Sequence, residues 1–414
     1  MDPKTIGLHT LRARNARYFA GTNFSPCRRY VSGVLLRVSD RGLDAAFQAV
    51  HQLNVRVPRE VRQRLAEITG QVGPPADLCE AARYVAELQI VNIERLLHDA
   101  GTDPMNLVAI GQTGCDLWSH SESLGRTVMP LGCPQLLAEA TGVSVIDRLH
   151  ERDLAAGGTG GPLESLLWWL LLTQAKDSNS ERPQVVVVLD ETLEMFHLPP
   201  RRRGRDVPSI AWLDLGAGYG LLDQVATEGE VSHETNLTPL TAYLQAQEIQ
   251  TAWTPPTTVT QQAVEELLSV WAATEPRPTF ADCERAAFPI WIERIREGLA
   301  NLFPQQPQPS RIVVLGRGGR REPFVASLSA AIDGISVVAE PKLGWIAGAP
   351  QAALAAIAAT LHVDQICGNL PELTGAKSAR ILGSLSPGAP ANWRNLLEQM
   401  QSGLQQRMPL RSAV

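Results

Sequence analysis

The chain holds 414 residues, 44% of them hydrophobic and 19% charged, with 43 acidic against 37 basic side chains and a net charge of -6. That length suggests two or three domains with ample apolar material for real cores, and the mild acidic balance argues against nucleic-acid binding through bulk charge. No apolar run approaches the roughly 20 residues of a membrane helix and the N-terminus lacks a signal peptide's apolar stretch, so a cytoplasmic protein with no membrane partner is expected.

Residues 5–37 read as β-rich, with a strand over 30–38 that follows a turn over 21–26. From 58 to 100 the apolar spacing is helical, carried by Val61, Leu65 and Ile68 and then by Val85, Leu88, Val91, Ile93 and Leu97. Strands follow at 107–110, ending in Gly111, and at 143–146, ending in Asp147. The string from Asp153 to Pro162 carries Gly157, Gly158, Gly160 and Gly161, too dense in glycine for an ordinary connection. Its proline would open the helix of Trp168 and Trp169, and its backbone amides would face an anion or a sugar. Further strands are expected at 185–189, 210–213 and 312–315, and the Ala-rich stretch 350–361 is a good helix former. Loops are expected at 176–184, 199–208, 253–262 and 304–310. Continuous apolar strands alternating with helices argue an α/β protein with buried sheets.

The six cysteines show no C-x-x-C pair and no histidine at zinc-site spacing, so free thiols and no metal site are expected. The run Arg201-Arg202-Arg203-Gly204-Arg205 reads as a solvated loop rather than a binding patch. His120, His150, His197 and His233 lack triad spacing and read as surface or core histidines.

The sharpest local string is D-L-G-A-G-Y-G, Asp214 to Gly220, followed by Asp223. An acid at a strand end followed by glycines puts a carboxylate where ligands sit and lets backbone come close to them. It fits the catalytic aspartate loop of a sugar kinase, the first motif of an S-adenosylmethionine methyltransferase, or a tight turn with no ligand. A methyltransferase needs a second acid-ended strand roughly 20 residues onward, and 234–239 is loop-like instead. A second glycine string, Gly316-Arg317-Gly318-Gly319-Arg320-Arg321, follows a strand but has Arg321 at the third glycine position of a dinucleotide fingerprint. It fits a nucleotide loop of another type or a plain strand-to-helix turn.

In order along the chain, these strings resemble the anhydro-N-acetylmuramic acid kinase family. G-N-L-P-E-L-T-G-A over 368–376 is close to the family's G-N-L-P-x-x-T-G-A. R-D-L-A-A-G-G-T-G-G-P over 152–162 looks like R-D-I-A-x-G-G-Q-G-A-P. Asp214 through Asp223 looks like D-T-G-P-G-N-x-x-x-D at identical spacing, and Ile110-Gly111 to Trp118 stands in the place of I-G-x-H-G-Q-T-x-W. The resemblance implies a two-domain actin/hexokinase-like (ribonuclease H-like) α/β sugar kinase fold with an interdomain cleft. It implies a first domain of 1–139 plus 376–414 and a second of 140–375. It further implies Asp214 as general base on the water that opens an anhydro ring. Nucleotide contacts would come from Gly21, Thr22, Gly216, Gly218, Gly316, Gly318 and Gly319, and substrate contacts from Arg152, Asp153, Gly158 and Asp223. A homodimer is expected by analogy.

The chain departs from the family pattern where chemistry would occur. The phosphate turn G-T-S-x-D-G-x-D reads G-T-N-F-S-P-C-R over 21–28, without either aspartate. The second phosphate loop, N-I-G-G-I-A-N, falls on 188–194, where Asp190 and Glu191 replace two glycines. A carboxylate beside a triphosphate repels it by roughly 4 kcal/mol per charge pair at ~4 Å and an effective dielectric of ~20. On the sugar side the family's histidine and glutamine fall on Thr113 and Cys115, its I-G-D on Leu131-Gly132-Cys133, an aspartate on Arg148 and a glutamate on Ala352. The expectation is a kinase scaffold with phosphoryl transfer lost or changed, holding a small amino sugar or another ligand and needing no cofactor. The alternative is a working kinase of cell-wall recycling that uses ATP, Mg2+ and Asp214. A methyltransferase is retained for the Asp214 string alone.

Overall fold

The computed structural model describes residues 16–407 except 26–27, 71–73, 122, 124, 175–181, 203, 205–206, 208, 228–235, 254–260, 273–276 and 303–308. The first sheet is built from β1 (Arg17–Phe24), β2 (Tyr30–Ser39), β3 (Ala46–Arg56) and β4 (Leu107–Gly114). A small hairpin, β5 (Asp116–Ser121) with β6 (Gly125–Pro130), stands apart from it, and β7 (Val145–Asp147) rejoins it. The second sheet comprises β8 (Gln184–Leu189), β9 (Thr192–Leu198), β10 (Ala211–Ala217), β11 (Arg311–Leu315) and β12 (Ser336–Ala339). A last strand, β13 (Ser384–Ser386), returns to the first.

Both sheets follow one plan. The order is β13-β7-β4-β1-β2-β3 in the first and β10-β9-β8-β11-β12 in the second. In each, three antiparallel strands come first, the fourth pairs in parallel with the first, and the fifth pairs in parallel with the fourth. The plan appears twice in one chain, which is the two-domain actin-like arrangement.

The expected division at residue 140 does not follow the sheets. β7 pairs with β4 and β13 pairs with β7, so residues on both sides of 140 build the first sheet. The Ala349–Val363 helix, expected in the second domain, packs on β1, β4 and β2. Small residues on both sides allow this: a Cβ at Gly21 or at Gly111 would stand 1.9 Å from the carbonyl oxygen of Ala352 or Ala355. Helix backbone therefore rests directly on strand backbone.

The Glu164–Leu172 helix packs against the Ala349–Val363 helix between the two sheets. Its Trp168 and Trp169 are buried in a core that also takes in Phe19 and Val34 of the first sheet and Val186 and Phe196 of the second. A hydrophobic sequence on all sides demands such burial, and this helix is apolar all round from Leu166 to Leu172. The single helical stretch expected over 58–100 is two helices, Arg59–Gly70 and Pro75–Asp99, the second opened by a proline in its first turn. Residues 188–194, expected as a phosphate loop, are instead the end of β8, a tight hairpin turn at Asp190 and Glu191, and the start of β9. No helix among the described residues is long and apolar enough to cross a membrane.

Candidate ligand cleft

Between the sheets lies a cavity of about 270 Å³. The first sheet and its hairpins contribute Phe24, Arg28, Thr113, Cys115, Asp116 and Trp118, the second half contributes Glu191 and Trp253, and the two central helices contribute Glu164, Gln351 and Leu354. The Thr113 and Cys115 positions therefore do face the cleft, and burial pushes the Cys115 thiol up to about 12. A side pocket of about 30 Å³ shares Thr113, Asp116 and His150 with the cavity and adds Gln112, Asp147 and Arg148.

The glycine-dense string has a different task from the one expected. A Cβ at Gly160 would come within 2.8 Å of the Trp118 ring, and one at Gly161 within 2.5 Å of the Trp253 ring. The loop is a backbone platform for two indoles. These meet edge to face with centroids 5.2 Å apart, and the His150 ring lies 5.2 Å from Trp118 and stacks at 6.4 Å on Trp253. The Gly160 carbonyl is hydrogen-bonded to His150 Nδ1, and Arg126 donates to the Trp253 carbonyl at 2.8 Å. From sequence, His150 reads only as a surface or core histidine, Trp118 only as the end of a family motif, and Trp253 only as the start of a loop. Their positions, 118, 150 and 253, carry no common spacing, and only the glycines between them hinted at a surface needing close approach.

Asp153 and Gly158, expected at the substrate, belong to the scaffold. Asp153 is fully buried; its Oδ1 accepts from Asn369 Nδ2 (2.7 Å) and Thr374 Oγ1 (2.8 Å), its Oδ2 from the Gly160 amide (2.9 Å). The carboxylate thus ties the glycine platform to the G-N-L-P-E-L-T-G string. A Cβ at Gly158 would lie 2.1 Å from Asp153 Oδ2, which is why that position is glycine. Arg152 is exposed and is not among the cavity residues. The resemblance puts Gly21 and Thr22 at the nucleotide. Both lie inside β1; Gly21 abuts the central helix and Thr22, fully buried, donates to Asn92 Oδ1 at 3.2 Å.

The other expected nucleotide residues gather at the ends of β8, β10 and β11. There the chain answers its own polar groups. The Gly216 amide donates to Asp214 Oδ1 (2.8 Å), Ala217 to Gln247 Oε1 (2.7 Å), Gly218 and Gly220 to the Glu191 carbonyl (2.9 and 3.1 Å), and Tyr219 to the Asp190 carbonyl (2.5 Å). The Gly316 amide donates to buried Glu340 at 2.7 Å, and Glu340 also pairs with Arg320. Gly318 and Gly319 stand against Leu189 and the Val314 carbonyl. Arg317, the residue that intrudes on the family's loop, reaches across to Asp190 Oδ1 (3.0 Å) and Asp223 Oδ2 (2.7 Å) and lies over the Tyr219 ring. Arg29, on the β1–β2 turn, stands 3.7 Å from Asp223.

Electrostatics follow from that crowding. Burial, reinforced by neighbouring Asp190, pushes the Glu191 carboxyl up to about 7. Burial also raises Asp190, with Arg317 working against the rise. Asp214 is raised by burial and held back by its bond from the Gly216 amide. It faces Glu194 across the β9–β10 pairing, and Glu194 is driven well above the usual carboxylate range by burial and by Glu164 and Asp214. Asp214 is not among the residues lining the cavity, whereas Glu164 is. The strand carrying Asp214 is an antiparallel edge, not the parallel first strand of a methyltransferase sheet.

Arg201 donates to the carbonyls of Leu43, Ala45 (2.7 Å) and Leu170 (3.3 Å) and so braces the scaffold; Arg203 and Arg205 lie outside the described residues. The five described cysteines are free, and no metal-holding group of His, Cys, Asp or Glu occurs among the described residues.

Comparison with known proteins bears on most of the chain. The family model described as anhydro-N-acetylmuramic acid kinase matches residues 31–189 and 281–388. A protein of that name from Legionella pneumophila (strain Corby) is 24% identical over 374 residues, covering 86% of this chain and 97% of its own length. Another, from Nitrosospira multiformis, is 26% identical over 391 residues, covering 86% and 99%. Among solved structures, the ROK hexokinase from Thermus thermophilus aligns over 82% of this chain and 98% of its own, at 15% identity and a TM-score of 0.34, too loose a likeness to argue from.

Proposed function

The chain belongs to the anhydro-N-acetylmuramic acid kinase family, and from that premise we propose that it keeps the family's cleft as a small-ligand site without transferring phosphate from ATP. The ligand class that family chemistry favours is an amino sugar. One observation carries the reading: at the ends of β8, β10 and β11, six loop amides and the Arg317 guanidinium already bond to groups of the chain itself.

A triphosphate needs amides and cations that point outward and are free to accept it. The side chains at these strand ends do not fit one. Asp190, Glu191 and Asp223 bring negative charge to the place, and Arg317 is divided between two of them. Repulsion is milder than three bare carboxylates would give, since Arg317 offsets part of it and burial raises the Glu191 carboxyl to about 7. The chief obstacle is therefore loss of donors, with charge second. No catalytic step is assigned to nucleotide or metal here.

Asp214 supports the opposing reading of a working kinase, since it keeps its family position, here in the middle of β10, with a partly buried, raised carboxyl. The test is direct. The protein is mixed with ATP, Mg2+ and 1,6-anhydro-N-acetylmuramic acid, and ADP release and thermal stability are followed. The proposal expects no ADP above background and no melting shift with ATP and Mg2+ alone. Sustained phosphorylation of the anhydro sugar would overturn it.

A further inference from the structure

Two hydrogen-bond acceptors stand side by side on the wall of the main cavity with no donor between them. His150 Nδ1 is hydrogen-bonded to the Gly160 carbonyl, and a carbonyl only accepts. Nδ1 therefore carries the ring hydrogen, and Nε2 of the neutral imidazole keeps a bare lone pair. That nitrogen stands 3.6 Å from Asp116 Oδ2, too far for a hydrogen bond. No described residue donates a hydrogen bond to the Asp116 carboxylate. Both side chains line the cavity and both keep 19% of their surface exposed, so a ligand there can reach them. Burial raises the Asp116 carboxyl, and hydrogen bonds from a ligand would draw it back down.

The chemistry of that ligand is restricted. One hydroxyl brings a single hydrogen and answers one acceptor, whereas hydroxyls on neighbouring ring carbons bring two, side by side. Trp118 and Trp253 line the same cavity beside His150, and indole surfaces suit the apolar face of a pyranose. Charge points the same way. Asp116, Glu164 and Glu191 line the cavity against one arginine, Arg28, so a carboxylate on the ligand would meet more like charge than opposite charge.

We infer that Asp116 and His150 hold two adjacent hydroxyls of an uncharged pyranose whose ring lies against Trp118 and Trp253. This rests on the reading of the cleft as a small-ligand site and narrows its ligand. In an N-acetylated hexosamine, carbon 2 carries the amide, so hydroxyls 3 and 4 are the one adjacent pair. A muramic acid has lost that pair, because its O3 carries a lactyl ether, and the ether also brings a carboxylate toward the acids of the lining. The cleft thus selects a hexosamine with free O3 and O4 and rejects its muramic counterpart.

Isothermal titration calorimetry of the full chain with three sugars tests this, at about pH 8, where an imidazole is ordinarily neutral. The sugars are N-acetylglucosamine, its 3-O-methyl ether, which blocks the same hydroxyl without adding charge, and N-acetylmuramic acid. N-acetylglucosamine is expected to bind at least tenfold more tightly than either blocked sugar. Asp116→Ala and, separately, His150→Phe, each checked for folding by circular dichroism, are expected to weaken it to the level of the blocked sugars; if one variant does not fold, the other decides. Equal or tighter binding of a blocked sugar, no binding of N-acetylglucosamine, or a preference that survives in either folded variant would each overturn the inference. ATP and Mg2+ are added in a parallel arm. Phosphorylation of bound N-acetylglucosamine there sinks the non-catalytic reading and leaves the hydroxyl contacts standing, while tighter binding of N-acetylmuramic acid without turnover does the reverse.

Discussion

The two ends of the cleft differ in how completely the chain satisfies itself. Around Arg317 and the glycines of β10 and β11, the amides and the Nε and Nη1 groups of Arg317 find partners from residues of the same chain. Around Asp147 and Gln112, buried acceptors are left open. Both regions carry glycines and acids, which in a sequence look alike. The difference teaches that motif residues mark a ligand site only when their polar groups remain available after folding.

Four substitutions test this contrast. The largest effect is expected at Asp153, the most completely answered group: Asp153→Ala strands the buried donors of Asn369, Thr374 and Gly160 and should cost about 3–5 kcal/mol in urea unfolding. A loss below about 1 kcal/mol would mean that the platform does not depend on it.

The open end should respond to pH. The Asp147 carboxyl sits at about 7 in the folded protein against an ordinary value of 3.8, so between those values the folded state holds a proton that the unfolded state releases. Its contribution to stability is present at low pH and is lost as pH rises through that window. Asp147→Asn removes this dependence. Relative to the parent chain the variant should be little changed near pH 4 and more stable, by up to about 4 kcal/mol, at pH 8 without ligand. A difference that stays flat from pH 4 to 8 would show that Asp147 is answered after all.

Arg317→Ala comes third. It leaves Asp190 and Asp223 without their shared partner in partly exposed positions, and a loss of about 2 kcal/mol is expected, with no gain of ATP binding because the loop amides remain spent on the chain. ATP-dependent stabilisation of this variant would move the blame from the amides to the arginine. The smallest effect is expected at Arg152, exposed and outside the cavity: Arg152→Ala should change stability by less than about 0.5 kcal/mol and leave ligand titrations unaltered.

Much of the scaffold could be read in advance. The strands expected at 107–110, 185–189 and 312–315 lie within β4, β8 and β11, because continuous runs of Val, Leu and Ile can only be buried. The Ala-rich stretch became the helix on which β1 and β4 rest. β9 was missed because its one acid, Glu194, and His197 break the apolar pattern, and the acids at 190 and 191 drew attention as a phosphate loop rather than as a hairpin turn. Site residues fared worse. Asp153, Gly158, Gly21 and Thr22 belong to motifs that looked ligand-facing, yet their polar atoms and missing Cβ atoms serve internal contacts.

By itself the sequence determined the α/β class, the family and the places of several buried strands, because periodic apolar runs and motif spacing are local properties of a chain. Tertiary structure alone decided which of those residues face the cleft. Arg317 meets Asp190 across 127 positions, Trp118 meets Trp253, and Asp147 keeps an oxygen open, through packing that places distant segments side by side. Whether a polar group is spent or free depends on that packing, and no spacing along the chain records it.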